Sequence, residues 1–140
     1  MVMYKCKYYK IQELVSPQTY KKFGEGAWMF FGEDELKDID TIREVYGSPI
    51  KINDGISFTQ SGLRDDDNIG TSLSAHKMGK AFDLKCIKGN HTALWGCVSK
   101  LITAGKLRVL RRLENRKSAP TWTHVDSYRT SDNKLLVFRG

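Results

Sequence analysis

Residues 108–139 read RVLRRLENRKSAPTWTHVDSYRTSDNKLLVFR. Three stretches of this run, 108–114, 121–127 and 135–139, have the short apolar alternation of strands, and polar turns separate them. Upstream of them, residues 80–87 read as a further strand. Between that strand and the late cluster, Gly89-Asn90 opens a helix with Leu94, Val98, Leu101 and Ile102 as its buried stripe and Gly105 as its stop. Earlier still, Ser16-Pro17 reads as an N-cap followed by proline at the first helical position, predicting a short helix to about Phe23 that Gly24 and Gly26 end. A longer helix is predicted over 34–46, with Leu36, Ile39, Ile42, Val45 and Tyr46 on one side, Asp34 and Glu35 in the first turn and Gly47 at the stop. Ser48-Pro49 leads into a short strand over 50–53. Helices early and in the middle with strands clustered late predict an α+β fold, an antiparallel sheet with helices packed on one face.

At 140 residues the chain is long enough for a single domain with a real core, spanning 1–140, and too short for two. No apolar run approaches the roughly 20 residues of a membrane helix. The first seven residues carry basic side chains without an apolar core or a small-residue cleavage site, so no signal peptide is expected and the chain is expected to be made and kept in a cytoplasm unless something releases it. Cys6, Cys86 and Cys97 are odd in number and form no CxxC pair, which argues for reduced, mostly buried thiols and against a cysteine-rich zinc site. The net charge is +7, and the last forty residues hold nine basic residues against Glu114, Asp126 and Asp132. Such a surface attracts polyanions, either nucleic acid or an anionic cell wall, and charge alone does not choose between them. No helix-turn-helix, zinc-finger or RNP pattern supports specific nucleic-acid binding.

Residues 54–75 form a long stretch dense in Gly, Ser, Asp and Asn, and loops of that length inside compact domains tend to be functional. Asp65-Asp66-Asp67-Asn68-Ile69-Gly70 within it resembles a calcium loop only superficially, since Ile69 and His76 fall where oxygen ligands are needed, and it reads as a solvated turn. His76 stands at its end and Asp83 lies in the strand that follows, with Gly79 between them to allow a tight turn. His and Asp are competent zinc ligands, and a catalytic zinc needs three protein ligands with one position open. His124 is the candidate third ligand. Strand alternation places Trp122, His124 and Asp126 on one face, so that Asp126 is either a partner for a liganding imidazole or a plain surface carboxylate. On pattern alone a lone strand histidine is more often structural. His91, at a helix start, reads as solvent-facing, and an HExxH zinc helix is absent.

Taken together, Ser74-x-His76-x-x-Gly79-x-Ala81-x-Asp83, the later Trp122-x-His124-x-Asp126 and the upstream Ser61-Gly62-Leu63-Arg64 resemble the signature of the zinc D-Ala-D-Ala carboxypeptidase family. That family includes phage L-alanyl-D-glutamate endopeptidases and shares its fold with hedgehog signalling domains. The N-terminal part, with Glu13-Leu14, Ser16-Pro17 and the helix ending at Gly47, is similar to small phage-encoded members. The resemblance implies zinc held by His76, Asp83 and His124. It further implies Arg64 on the substrate carboxylate or the developing oxyanion and Ser74 helping to place substrate; Trp122, on the same strand face as His124, is expected to line the cleft. Several relatives carry the general base three residues before the last histidine, where this chain has Thr121. The phage-type members suggest Glu114 instead, brought beside His124 by antiparallel pairing, with Asp126 as the fallback. The bland alternative for Glu114 is a surface ion pair with Arg112 or Arg116. Leu63 stands where the family often has an aromatic residue.

The expectation is therefore a zinc peptidase of peptidoglycan stem peptides, acting as a monomer without membrane or specific nucleic-acid partners. A phage lysin, held in the cytoplasm of an infected bacterium before release to the wall, or a virion-associated enzyme would fit. The alternative is a non-catalytic, zinc-stabilised structural domain of a phage particle.

Overall fold

The computed structural model describes residues 3–52, 79–88, 90–127 and 135–138. Local signals set the helices. In α1 (Pro17–Phe23) the Ser16 side chain accepts the Thr19 N–H and proline occupies the first turn, where its missing N–H costs nothing. The chain does not simply stop at Gly24 and Gly26 but continues as a 3₁₀ turn over Gly24–Phe30, which buries Ala27 and Trp28. The acidic first turn of α2 (Glu33–Tyr46) suits the helix dipole, and Gly47 ends the helix in the left-handed conformation, φ 77°. Asn90 caps α3 (His91–Thr103) by accepting from Thr92 and Ala93, and the predicted stripe Leu94, Val98, Leu101 and Ile102 is buried.

The stripe of α2 differs from expectation. Leu36, Ile39 and Ile42 are buried, but Val45 is exposed, and two acids, Asp38 and Asp40, are buried in its place. Both acids are saturated by hydrogen bonds. Asp40 accepts the Lys7 and Tyr8 N–H groups at 2.7 and 3.1 Å and the Tyr4 hydroxyl at 2.7 Å. Asp38 accepts three successive N–H groups, from Arg108, Val109 and Leu110, at 2.7, 2.8 and 3.0 Å. This second cluster corrects the strand predicted over 108–114. N–H groups consumed by a carboxylate cannot join a ladder, and the strand begins only at Arg112.

Five strands form one sheet in the order β1 (Ile50–Lys51), β2 (Ala81–Cys86), β4 (Thr123–Asp126), β3 (Arg112–Glu114), β5 (Leu136–Phe138). The pairs β1–β2, β2–β4 and β3–β4 are antiparallel, whereas β3–β5 is parallel. The sheet is thus mixed, which corrects the all-antiparallel expectation within an α+β fold. The reason is topological. Both edges of β4 are already taken by β2 and β3, so the returning strand β5 joins the free edge of β3. A strand that reverses the direction of β4 runs parallel to β3.

The sheet has two unlike faces. Phe82, Leu84, Leu113 and Val125 are fully buried in one core with Ile39 and Ile42 of α2 and Leu94 and Val98 of α3. Alternation along the strands sends Asp83, His124, Asp126, Arg112, Glu114 and Phe138 to the other face. Among the described residues no helix is long and apolar enough to cross a membrane. The three cysteines are free and half-buried, less enclosed than expected, and Cys86 Sγ lies 3.2 Å from His91 Nδ1 of a half-buried His91.

Candidate functional site

Sheet register brings the polar residues together. In the β2–β4 pairing Asp83 stands directly opposite His124, and in the β3–β4 pairing Arg112 stands opposite Asp126. Residues directly opposite share a face. The four side chains consequently form a line across three strands. Asp83 Oδ1 lies 2.9 Å from His124 Nδ1, His124 Nε2 lies 2.7 Å from Asp126 Oδ2, and Arg112 donates to both Asp126 oxygens at 2.9 and 3.1 Å.

Burial strengthens every contact in this line. The Asp126 side chain has no exposed surface, and those of His124 and Asp83 retain 11% and 14%. Burial by itself disfavours the charged imidazole, but the hydrogen bonds and charges of Asp126 and Asp83 outweigh it and raise the His124 pKa to about 9. Burial likewise works against the Asp126 charge, and His124 and Arg112 overcome it, holding the carboxyl below its usual range. The surface-carboxylate alternative for Asp126 therefore fails.

Phe138, from β5, closes the line on one side. Its ring centroid lies 3.9 Å from the Arg112 guanidinium carbon and meets the His124 ring edge-on at 5.5 Å. Glu114 is two residues along β3 from Arg112, and continuing the register past Leu113↔Val125 brings it level with His124. Its main-chain carbonyl accepts the Trp95 indole N–H at 3.0 Å, tying α3 to this strand. The Arg112 guanidinium, one partner in the bland ion-pair alternative for Glu114, forks onto Asp126.

Two donors on one tetrahedral zinc, each about 2.0–2.1 Å from the ion, lie roughly 3.3 Å apart. Asp83 Oδ1 and His124 Nδ1 lie closer than that, at the hydrogen-bond distance of 2.9 Å, and in side-chain type both fit a zinc ion. The opposite ring nitrogen is held by a carboxylate, the usual partner of a metal-bound imidazole. Among the described residues no group of three or more His, Cys, Asp or Glu is arranged to hold a metal. His76, Arg64 and Ser74, with Ser61-Gly62-Leu63 and Asp65 to Gly70, lie outside the described residues. Gly79, the nearest described residue to His76 in the chain, has φ 68°, and a Cβ there would collide with the Phe30 carbonyl oxygen. Trp122 is half-buried immediately before β4.

Arg112 and Phe138 were not singled out by sequence reasoning. The alternation that groups Trp122, His124 and Asp126 applies equally to Arg112 and Glu114, and would have found Arg112. Phe138 depended on the parallel placement of β5, for which no local signal exists. Comparison of the chain with protein-family models found no match, and neither did comparisons with curated proteins or with solved structures.

Proposed function

We propose that the chain is a zinc-dependent peptidase that hydrolyses stem peptides of bacterial peptidoglycan, with the hedgehog-type fold of the D-Ala-D-Ala carboxypeptidase family, working as a phage lysin or a virion-associated wall peptidase. The observation that carries this reading is the Asp83–His124 pair, two zinc-ligand side chains in direct contact across the β2–β4 register, backed by a buried Asp126. His76, Asp83 and His124 would hold the ion. Bound zinc supplies Lewis-acid polarisation and a nucleophile at neutral pH.

The chain's own residues supply the rest. Glu114 takes the proton of the attacking water and returns it to the departing amine. Asp126 is the poorer base, because protonating it would release the Arg112 pair and the His124 hydrogen bond together. Arg64 binds the substrate carboxylate or steadies the oxyanion with a permanently charged, planar fork. Ser74 and Trp122 place the peptide in the cleft, and the basic surface, net charge +7, favours an anionic wall.

The test is digestion of purified peptidoglycan by zinc-loaded wild type, Glu114→Ala and His124→Ala, with mass analysis of released fragments. Wild type is expected to cut and both variants to fail, with Glu114→Ala losing about 10²–10⁴-fold in rate while still binding one zinc. Zinc uptake without any release of fragments by wild type would overturn the peptidase reading in favour of a zinc-stabilised structural domain.

A further inference from the structure

We infer that Arg112, with Phe138 laid across it, is a positioning residue that aims the His124 imidazole at the metal; the inference rests on the zinc reading of the Asp83–His124 pair. Arg112 acts through Asp126, whose carboxylate it grips at both oxygens, Nε to Oδ1 at 2.9 Å and Nη2 to Oδ2 at 3.1 Å.

A carboxylate gripped by two parallel N–H bonds has a fixed plane. Oδ2 then also accepts His124 Nε2 at 2.7 Å from a direction set by the guanidinium. With Nε2 anchored, the ring cannot flip about its χ2 axis without breaking a buried hydrogen bond. Nδ1 is thereby kept on the Asp83 side, 2.9 Å from Oδ1. Phe138 completes the constraint. Its ring lies over the guanidinium and its edge-on contact packs against the imidazole. Three strands contribute, and the parallel β3–β5 pairing is what delivers the aromatic ring to the place where Arg112 and His124 meet. A lysine at position 112 would carry the same charge but, as a point donor, would not fix the carboxylate plane.

The competing explanation is that Arg112–Asp126 is an ordinary ion pair stitching β3 to β4. Arg112→Lys and Arg112→Met separate the two. Zinc affinity is measured by competition with a chromophoric chelator, the fold by circular dichroism, and the His124 Nε2–H by its downfield proton resonance. Folded Arg112→Lys is expected to bind zinc about 10–100-fold more weakly than wild type and to lose or broaden the imidazole N–H signal. Arg112→Met is expected to do at least the same. In an Asp126→Asn background the Arg112→Lys change is expected to add less than about threefold, since both act through one contact. Folded Arg112 variants that bind zinc within twofold of wild type and keep the wild-type signal would overturn the inference. If Arg112→Met does not fold, Arg112→Lys carries the same decision. If wild type takes up no zinc, the peptidase reading falls by itself, and the imidazole resonance of the metal-free protein judges the clamp: unchanged in Arg112→Lys, it overturns it; shifted or lost, it supports it.

Discussion

Among the described residues the protein buries carboxylates in two places and satisfies them in two different ways. Asp38 and Asp40 of α2 face backbone N–H groups, six donors in all when the Tyr4 hydroxyl is included. Asp126, on the polar sheet face, is held by an imidazole and a guanidinium. Backbone N–H groups do not titrate, move little and cannot be exchanged for anything else. They make Asp38 and Asp40 into joints that fasten residues 108–110 and the N-terminal segment to α2. A titratable imidazole between two carboxylates is a different object. On the zinc reading proposed above, the proton on Nδ1 is the group that a metal ion would replace, and Asp83 would be its second ligand. The same residue type thus fastens segments on one element and lines the candidate site on another, and the kind of donor distinguishes the two.

The largest effect that tests this contrast is Asp38→Ala. Three successive N–H groups would lose their acceptor at once in a partly buried site, and each unsatisfied buried donor costs about 1–3 kcal/mol. A loss on the order of 4 kcal/mol is expected, allowing for some water entry, with the melting temperature falling by more than about 10 °C. Zinc affinity per folded molecule should stay near wild type, because the Asp83–His124 pair lies on the opposite face of the sheet. Thermal denaturation with and without zinc checks both. A melting temperature within a few degrees of wild type would show that Asp38 is not the joint described.

A smaller effect, about 1.4 kcal/mol for each pH unit, is expected at the sheet site. In the metal-free protein the His124 pKa is raised to about 9, so at pH 7 the imidazole is protonated and zinc must displace that proton. Apparent zinc affinity is expected to rise about tenfold per unit from pH 7 and to level off above about 9. Calorimetry in buffers of different ionisation heat should count close to one proton released from this residue at pH 7. The stability of the metal-free protein follows the same shift. The folded pKa exceeds the unfolded value of about 6.5, so the contribution is complete below that pH and is lost as pH rises through about 9. Affinity that is flat from pH 7 to 9 would mean that no proton stands where the metal binds, and the contrast between the two carboxylate regions would collapse.

How much of this was readable in the sequence depends on the range of the interaction. Ser16, Gly47, Asn90 and Gly105 act within a few residues of themselves, and the ends of α1, α2 and α3 lie where those residues predict. The strand starting at residue 108 was misread because its N–H groups go to Asp38, 70 or more residues away, and nothing in its own alternation records that. The parallel placement of β5 escaped for a related reason, since it follows from which edges are already occupied rather than from any turn residue. At the site, alternation alone grouped His124 with Asp126. The pairing of His124 with Asp83 spans 41 residues, and the pattern by itself left it open. Arg112 reads from the sequence as surface charge and as a possible ion-pair partner of Glu114, not as a partner of Asp126.

The smallest expected effect concerns the one apolar member of the α2 stripe that periodicity misplaced. Leu36, Ile39, Ile42 and Val45 are spaced by three, and each step of three falls about 60° short of a full turn at 3.6 residues per turn. After three steps the drift is about 180°, and Val45 points away from the face that Leu36 buries. Ile42 is 0% exposed, whereas Val45 is 57% exposed. Asp38 and Asp40 fall about 200° and 40° round from Leu36, so they flank the apolar stripe on its two sides, where the N–H donors hold them inside. Val45→Glu is therefore expected to change stability by no more than about 0.5 kcal/mol, as at other exposed positions. Its denaturant midpoint should match wild type within error. A loss of 2 kcal/mol or more would mean that the apolar stripe, and not the pair of buried aspartates, seats this end of α2.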